Sequence, residues 1–240
     1  MRRFVILAAP RTGSNLLCTM LNSHPRVLCH HEIFNPRFVR YALTLRDSGF
    51  DLGSLEERDR DPLAYLERVW RSPGPHDLVG FKMTRGQEGV VMDSVLGDPG
   101  VKKITLLRAN RVRTYVSEQI AERLDQWEVY DERDLAGPRP RIEVDRGELA
   151  AHVSLNEDFY AMISARLQAS GQESLQVLYE RIFDCAEHER ILAYLGVEAG
   201  TPLVARSVRQ NPKDLRELIA NFDRLRETLA GSGLERDLIA

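Results

Sequence analysis

Between Arg3 and Pro25 the chain has few options other than a strand, a tight turn and a helix. Phe4-Val5-Ile6-Leu7-Ala8-Ala9 is an apolar run that stops at Pro10. Arg11-Thr12-Gly13-Ser14-Asn15 is small and polar. Leu16, Leu17, Met20 and Leu21 then recur at helical spacing. A helix opening on Thr12 to Asn15 leaves backbone N–H groups aimed over the strand end. Its dipole places partial positive charge at the same point. Such a turn is a candidate anion site, to which Arg11 adds a full charge. A Walker A loop needs a second glycine and a lysine before the Ser/Thr. Both are missing, so a phosphate-like group is expected there and an ordinary ATP or GTP site is not.

The 240 residues suit one large α/β domain, expected to span 1–240 with a tail at 231–240. The net charge of −3 offers no global field for nucleic acid or an anionic membrane, so any bound anion must meet local positive charge. The short apolar N-terminal run does not resemble a signal peptide, and no run approaches membrane-spanning length. Cys18, Cys29 and Cys185 are odd in number and lack metal-ligand spacing. Cys18 and Cys29 read as buried thiols, and the cytoplasm is the expected compartment.

Val27-Leu28 reads as a short strand. Cys29-His30-His31-Glu32 follows, and two histidines beside a carboxylate fit acid/base chemistry, a metal site or a solvated polar turn. As a zinc site it is poor, because adjacent side chains rarely converge. Residues 37 to 72 have a helical pattern, broken at Asp51-Leu52-Gly53-Ser54 and closed by Pro73-Gly74-Pro75. Leu78 to Phe81 is a strand that closes on Lys82. Lys82 thus stands on the side where open α/β sheets bind ligands, unless it is a surface lysine. Gln87 to Leu96 reads as a short helix. Lys103 to Leu107 is a strand followed at once by Arg108, and Asn110 caps a long helix. Arg108, that helix start and Ser117 form a second candidate anion site.

Glu128 to Glu148 contains Gly137-Pro138-Arg139-Pro140-Arg141 and is expected to be a mobile loop, a lid or an acceptor-binding element. A helix is expected over Glu148 to Ser170, with Leu155, Phe159, Met162, Ile163 and Leu167 on one side. Leu175 to Tyr179 is a strand and Glu187 to Leu195 a helix. Gly200-Thr201-Pro202 opens a loop carrying Arg206 and Arg209. Asn211-Pro212 starts the last clear helix, which Gly231 and Gly233 end. Strands alternating with helices predict an α/β fold: a mostly parallel central sheet of about four to five strands with helices on both faces.

With both anion sites located, the chain resembles the PAPS-dependent sulfotransferases (PAPS is 3′-phosphoadenosine 5′-phosphosulfate), most of all the bacterial carbohydrate-type branch. Ala9 to Asn15 is similar to that family's 5′-phosphosulfate loop, which implies that Arg11, Thr12, Gly13, Ser14 and Asn15 wrap the 5′ group. Leu107-Arg108-Ala109-Asn110-Arg111 through Ser117 is similar to its 3′-phosphate motif. Ala109 intervenes where many members have arginine directly before the asparagine-like position, so Arg108 and Arg111 are rivals for the 3′-phosphate. Val177-Leu178-Tyr179-Glu180-Arg181 resembles the strand with a Tyr-Glu pair near the adenine. Val208-Arg209-Gln210-Asn211-Pro212 has the look of the bacterial branch.

The resemblance implies a P-loop NTPase-like sulfotransferase fold and transfer of a sulfuryl group to a hydroxyl of a carbohydrate or small metabolite, with PAP released and no metal required. Animal cytosolic members place a histidine base two residues after a strand-end lysine, where this chain has Thr84. The carbohydrate branch carries a glutamate soon after the first helix. Glu32 is the matching base, with His30 and His31 as fallbacks. Arg11 and the N–H groups of residues 12 to 15 would stabilise charge on the bridging oxygen, and Lys82 would help hold the sulfuryl group or acceptor. A P-loop-type kinase and a non-catalytic nucleotide-binding protein are the competing expectations. The acceptor and the oligomeric state are not legible in one sequence.

Overall fold

A computed structural model describes residues 1–72, 74–87, 89–198 and 202–239. Among these residues five strands form one wholly parallel sheet. They are β1 (Arg2–Ala8), β2 (Val27–His30), β3 (Leu78–Thr84), β4 (Val101–Leu107) and β5 (Ser174–Leu178), ordered β2-β3-β1-β4-β5. β1 is central, with Ile6 opposite Lys82 of β3 and Ile104 of β4. Phe4 to Ala8 are wholly buried, as an apolar strand covered on both faces must be.

From central β1 the chain goes to the edge strand β2, returns to β3 between the two, then crosses to β4 on the other side of β1. The carboxyl ends of β1 and β4 therefore flank a topological switch point, where such sheets leave a crevice. Tyr160 occupies the fork below it: its hydroxyl accepts from Ala9 N–H (2.8 Å) and donates to Leu106 O (2.7 Å).

Alternation along β1 divides the core. Val5 and Leu7 face one layer with Phe81, Met83, Val95 and Trp70. Phe4, Ile6 and Ala8 face the other with α1 (Ser14–Leu21) and α7 (Cys185–Leu195). Each large apolar side chain buried this way contributes roughly 1.5–3 kcal/mol. Gly80 is required here, since a Cβ on it would lie 2.4 Å from the Phe4 ring. The first layer is covered by α3 (Pro62–Trp70), preceded by the short α2 (Leu55–Arg60), and by α4 (Gly89–Gly97) and the C-terminal half of α6 (Arg146–Ala169). The N-terminal half of α6 packs in a third cluster with α5 (Arg111–Leu124), α8 (Phe222–Leu229) and α9 (Glu235–Ile239). No helix among the described residues is long and apolar enough to cross a membrane.

Several sequence expectations need correction. Residues 37–54 are not helical apart from a 3₁₀ turn at Leu43–Leu45. Arg58, buried on α2, explains this. Its guanidinium donates to the carbonyls of Ile33 (2.9 Å), Asn35 (2.6 Å) and Phe38 (3.2 Å), gathering the preceding segment around itself. Lys82 does not close β3, which runs on to Thr84.

The helix expected to start at Asn211 is α8, which begins at Phe222. Ile142 bonds to the backbone on either side of Ile219 (Ile142 N to Leu218 O and Ala220 N to Ile142 O, both 2.8 Å), and those groups are lost to a helix ladder. The same bridge ties Ile142, within the expected mobile loop, to the third cluster. Leu155 is 48% exposed rather than on the buried side of α6. Glu118 on α5 is buried against Arg85 (3.2 Å) and His152 (2.9 Å). Cys18 and Cys29 are buried free thiols, as expected. Pro73, Gly200 and Thr201, used above as segment markers, lie outside the described residues.

Candidate functional site

The turn after β1 is shaped by two left-handed residues, Arg11 (φ 62°) and Gly13 (φ 94°). Gly13 is required twice over, because a Cβ would also lie 2.3 Å from the Tyr179 ring. Thr12 Oγ1 closes the turn on Ala9 O (2.8 Å). The N-cap, Gly13, has no side chain, so no side-chain cap competes for the first-turn amides of α1. These amides open on a cleft of about 430 Å³, within the usual range for small-molecule sites. Its described lining carries seven cationic side chains and two carboxylates, Glu32 and Glu128. A chain of net charge −3 thus concentrates positive charge where the sheet opens.

One end of the cleft holds Glu32, Lys82 and Ser14. Lys82 Nζ lies 2.7 Å from Glu32 Oε1 and donates to Ser14 Oγ (3.3 Å). Glu32 Oε2 accepts from Asn35 Nδ2 (2.6 Å) and Gln87 Nε2 (2.9 Å). Burial pushes the Glu32 carboxyl up. The Lys82 charge and hydrogen bond, with Asn35, outweigh burial and hold it below the usual carboxylate value.

The other end is an arginine cluster. Arg11 turns toward α5 rather than toward Lys82. Its Nε donates to Ser117 Oγ (2.9 Å), one terminal nitrogen to Trp127 O (2.5 Å) and the other to Gln210 (3.1 Å). Arg108 donates to Arg11 O (3.1 Å) and stacks 4.5 Å over the Tyr179 ring. Its Nε is buried with no protein partner. Burial, then the neighbouring Arg108, lowers Arg11 to about 10. Burial chiefly lowers Arg108 to about 10, with Arg113 and Arg209 adding repulsion against the opposing pull of Tyr179 and Glu180. Crowded, under-paired guanidinium groups of this kind would be relieved by a bound anion.

The structure brings Arg11, Gly13, Ser14, Asn15, Glu32, Lys82, Arg108, Ser117, Tyr179 and Arg209 onto one cleft. It does not bring Arg111 there. Arg111 Nε bonds Asp237 (2.7 Å) and a terminal nitrogen bonds Gly233 O (2.8 Å), committing it to the C-terminal segment. Thr12 is buried within the turn. His30 is buried between Ser72 Oγ (3.2 Å) and Ala42 N–H (3.2 Å), and burial, with the charge of His76, lowers it to about 3. It does not line the cleft.

Sequence reasoning missed Arg113, Gln87, Asn35, Glu128 and Trp127. Arg113 had a signal: it is four residues before Ser117, one turn away on the same helix face. The others lie on loops and carried none.

No protein-family model matches the chain. Nodulation protein H of Rhizobium meliloti (strain 1021) is 27% identical over 247 residues, covering 97% of this chain and 93% of that protein. Nodulation protein H of Rhizobium tropici is 28% identical over 236 residues, covering 95% and 89%. Among solved structures, a sulfotransferase from Alicyclobacillus acidocaldarius matches all of this chain and 96% of its own, with a TM-score of 0.50 and 19% identity. The parallel sheet flanked by helices is therefore the sulfotransferase fold, as the sequence resemblance implied.

Proposed function

We propose that this chain, built on the sulfotransferase fold, moves a sulfuryl group from PAPS to an acceptor hydroxyl and releases PAP. The observation that carries the reading is a single cleft with an anion site at each end: the first turn of α1 with Lys82 at one, and Arg11, Arg108 and Ser117 at the other. A nucleotide with phosphate groups at both its 5′ and 3′ positions matches that spacing of charge better than ATP does. The unpartnered Nε of Arg108 fits such a ligand.

Bound PAPS supplies an activated sulfuryl group at the Glu32–Lys82 end. Glu32 takes the proton of the acceptor hydroxyl as that oxygen bonds to sulfur and the bond from sulfur to the 5′-phosphate oxygen breaks. A positioned base contributes roughly 10²–10⁴-fold. The first-turn N–H groups of α1 and Lys82 stabilise charge on the leaving oxygen. Arg11 reaches the cleft from the Ser117 side, so its role in this reading is to bind the nucleotide and position the loop. Arg108 and Ser117 hold the 3′-phosphate, and Tyr179 and Arg209 flank the nucleoside.

A second hollow of about 530 Å³ shares Asn15, Glu32, Phe38, Lys82, Trp127 and Glu128 with the cleft and extends past Arg40. Its mixture of aromatic faces, carboxylates and guanidinium groups supports a hydroxyl-rich acceptor, a carbohydrate or a small polar metabolite. Calorimetry with PAP, AMP and ATP·Mg tests the donor. PAP binding tightest, followed by PAPS-dependent sulfation in a screen of sugars and small alcohols, is the expected result. Preference for ATP·Mg would overturn the reading.

A further inference from the structure

His31 is wholly buried behind the donor turn. Its Nδ1 lies 3.1 Å from Asn15 Oδ1 and 3.3 Å from the Tyr130 hydroxyl. Tyr130 donates its only proton to Glu128 Oε2 (2.8 Å). Glu128 is an acceptor: Arg46 holds it in a two-pronged contact (2.7 and 3.2 Å), and although burial pushes its carboxyl up, Arg46 and Tyr130 bring it below the usual value. With the Tyr130 proton committed, its oxygen can only accept from His31.

His31 Nδ1 must therefore carry the hydrogen, since a lone pair there would face two oxygens. His31 Nε2 is buried with no partner. Protonating it would strand a buried N–H and a buried charge, so the ring is neutral, as burial and the charges of Lys82, Arg46 and Arg40 also require. The order of donors runs Tyr130 to Glu128 and His31 to Asn15. Asn15 consequently presents its oxygen to His31 and its two N–H donors to the cleft it lines.

We propose that His31 is a positioning residue: its Nδ1–H, directed by Tyr130 and Glu128, sets the Asn15 amide so that it donates N–H groups to the anion held at the donor turn. This assigns His31 a role other than base, and it rests on the sulfotransferase reading for the identity of that anion. An amide held the other way would turn an acceptor oxygen toward the anion and repel it.

Two measurements test this. ¹⁵N NMR of the histidine rings in the whole protein should show His31 neutral with hydrogen on Nδ1; hydrogen on Nε2 would overturn the proposal. This reading does not depend on any ligand. Calorimetry with PAP then compares variants. Asparagine places its side-chain N–H near the Nδ1 position and glutamine near Nε2, so His31→Asn should bind PAP within about threefold of the parent. His31→Gln should bind about tenfold more weakly, close to 1.4 kcal/mol. Asn15→Ala should lose a similar factor, and His31→Gln/Asn15→Ala no more than either alone. Equal losses for His31→Asn and His31→Gln, or additive losses in the double variant, would overturn it. If His31→Gln does not fold, Tyr130→Phe should still weaken PAP by about two- to fivefold, and unchanged binding counts against the proposal. Failure of the parent protein to bind PAP would instead overturn the sulfotransferase reading, and the tautomer measurement would still decide the role of His31 toward Asn15.

Discussion

Lys82 and Glu32, fifty residues apart, meet at 2.7 Å where the cationic cleft opens into the second hollow. Lys82 is 2% exposed and cannot share its charge with water. The pair keeps Glu32 ionised, in the state a base must have.

Replacing Glu32 by Gln separates chemistry from binding. Turnover should fall roughly 10²–10⁴-fold, while PAP affinity measured by calorimetry stays within a few-fold. A variant with parental turnover would remove Glu32 from the mechanism.

The pair also predicts a pH dependence. Burial raises the Glu32 carboxyl, but Lys82 and Asn35 depress it below its ordinary value. The stability it contributes is present above the unfolded-state value, about 4.3, and is lost as pH falls through the depressed folded-state value. Lys82→Met should reverse the sign. A buried carboxylate left without its cation destabilises by about 3–5 kcal/mol at neutral pH, and that loss should shrink on acidification. Urea titrations run from neutral pH to well below the ordinary carboxylate value read both effects.

Arg108 and Arg111 give opposite expectations. Arg108→Ala should cost about 1.5–3 kcal/mol of PAP affinity and much less affinity for AMP, which lacks the 3′-phosphate. Arg111→Ala should spare PAP and instead lower thermal stability, because its partners are Asp237 and Gly233. Equal losses of PAP and AMP in Arg108→Ala would count against its assigned role.

Gly13→Ala combines a left-handed backbone with contact against the Tyr179 ring. It should destabilise by at least about 1 kcal/mol and weaken PAP. Tyr179→Ala in that background relieves the contact but not the backbone, so thermal melts should show partial recovery only.

Arg58 links stability to the second hollow through Phe38. Arg58→Met removes its bonds to the carbonyls of Ile33, Asn35 and Phe38. The loss should be about 1.5–3 kcal/mol or more, with KM for any acceptor found rising more than the PAP dissociation constant if the second hollow, which Phe38 lines, takes the acceptor.

What was legible in the chain was whatever repeats locally. The β1 run, the helical spacing of Leu16 to Leu21, the glycine-containing turn and the cap at Asn110 each act within a few residues, through backbone preference and periodic burial. That sufficed for the parallel α/β fold and for picking out two stretches that the structure brings to one cleft. The 37–54 segment and the 211–221 segment misled the same reasoning, because Arg58 and Ile142 bind their backbones from elsewhere in the sequence.

The glycine-containing turn after β1, the alternation of strands and helices and the types of residue available at the site belong to the sequence alone. The tertiary structure decided which of them act together: that Arg108 rather than Arg111 faces the cleft, that Arg11 points to Ser117, and that Lys82 meets Glu32. Those choices depend on where each side chain finds a partner across the sheet order β2-β3-β1-β4-β5. A charged side chain entering the interior takes the position where its charge and hydrogen bonds are answered, and no local pattern encodes a partner fifty or a hundred residues away.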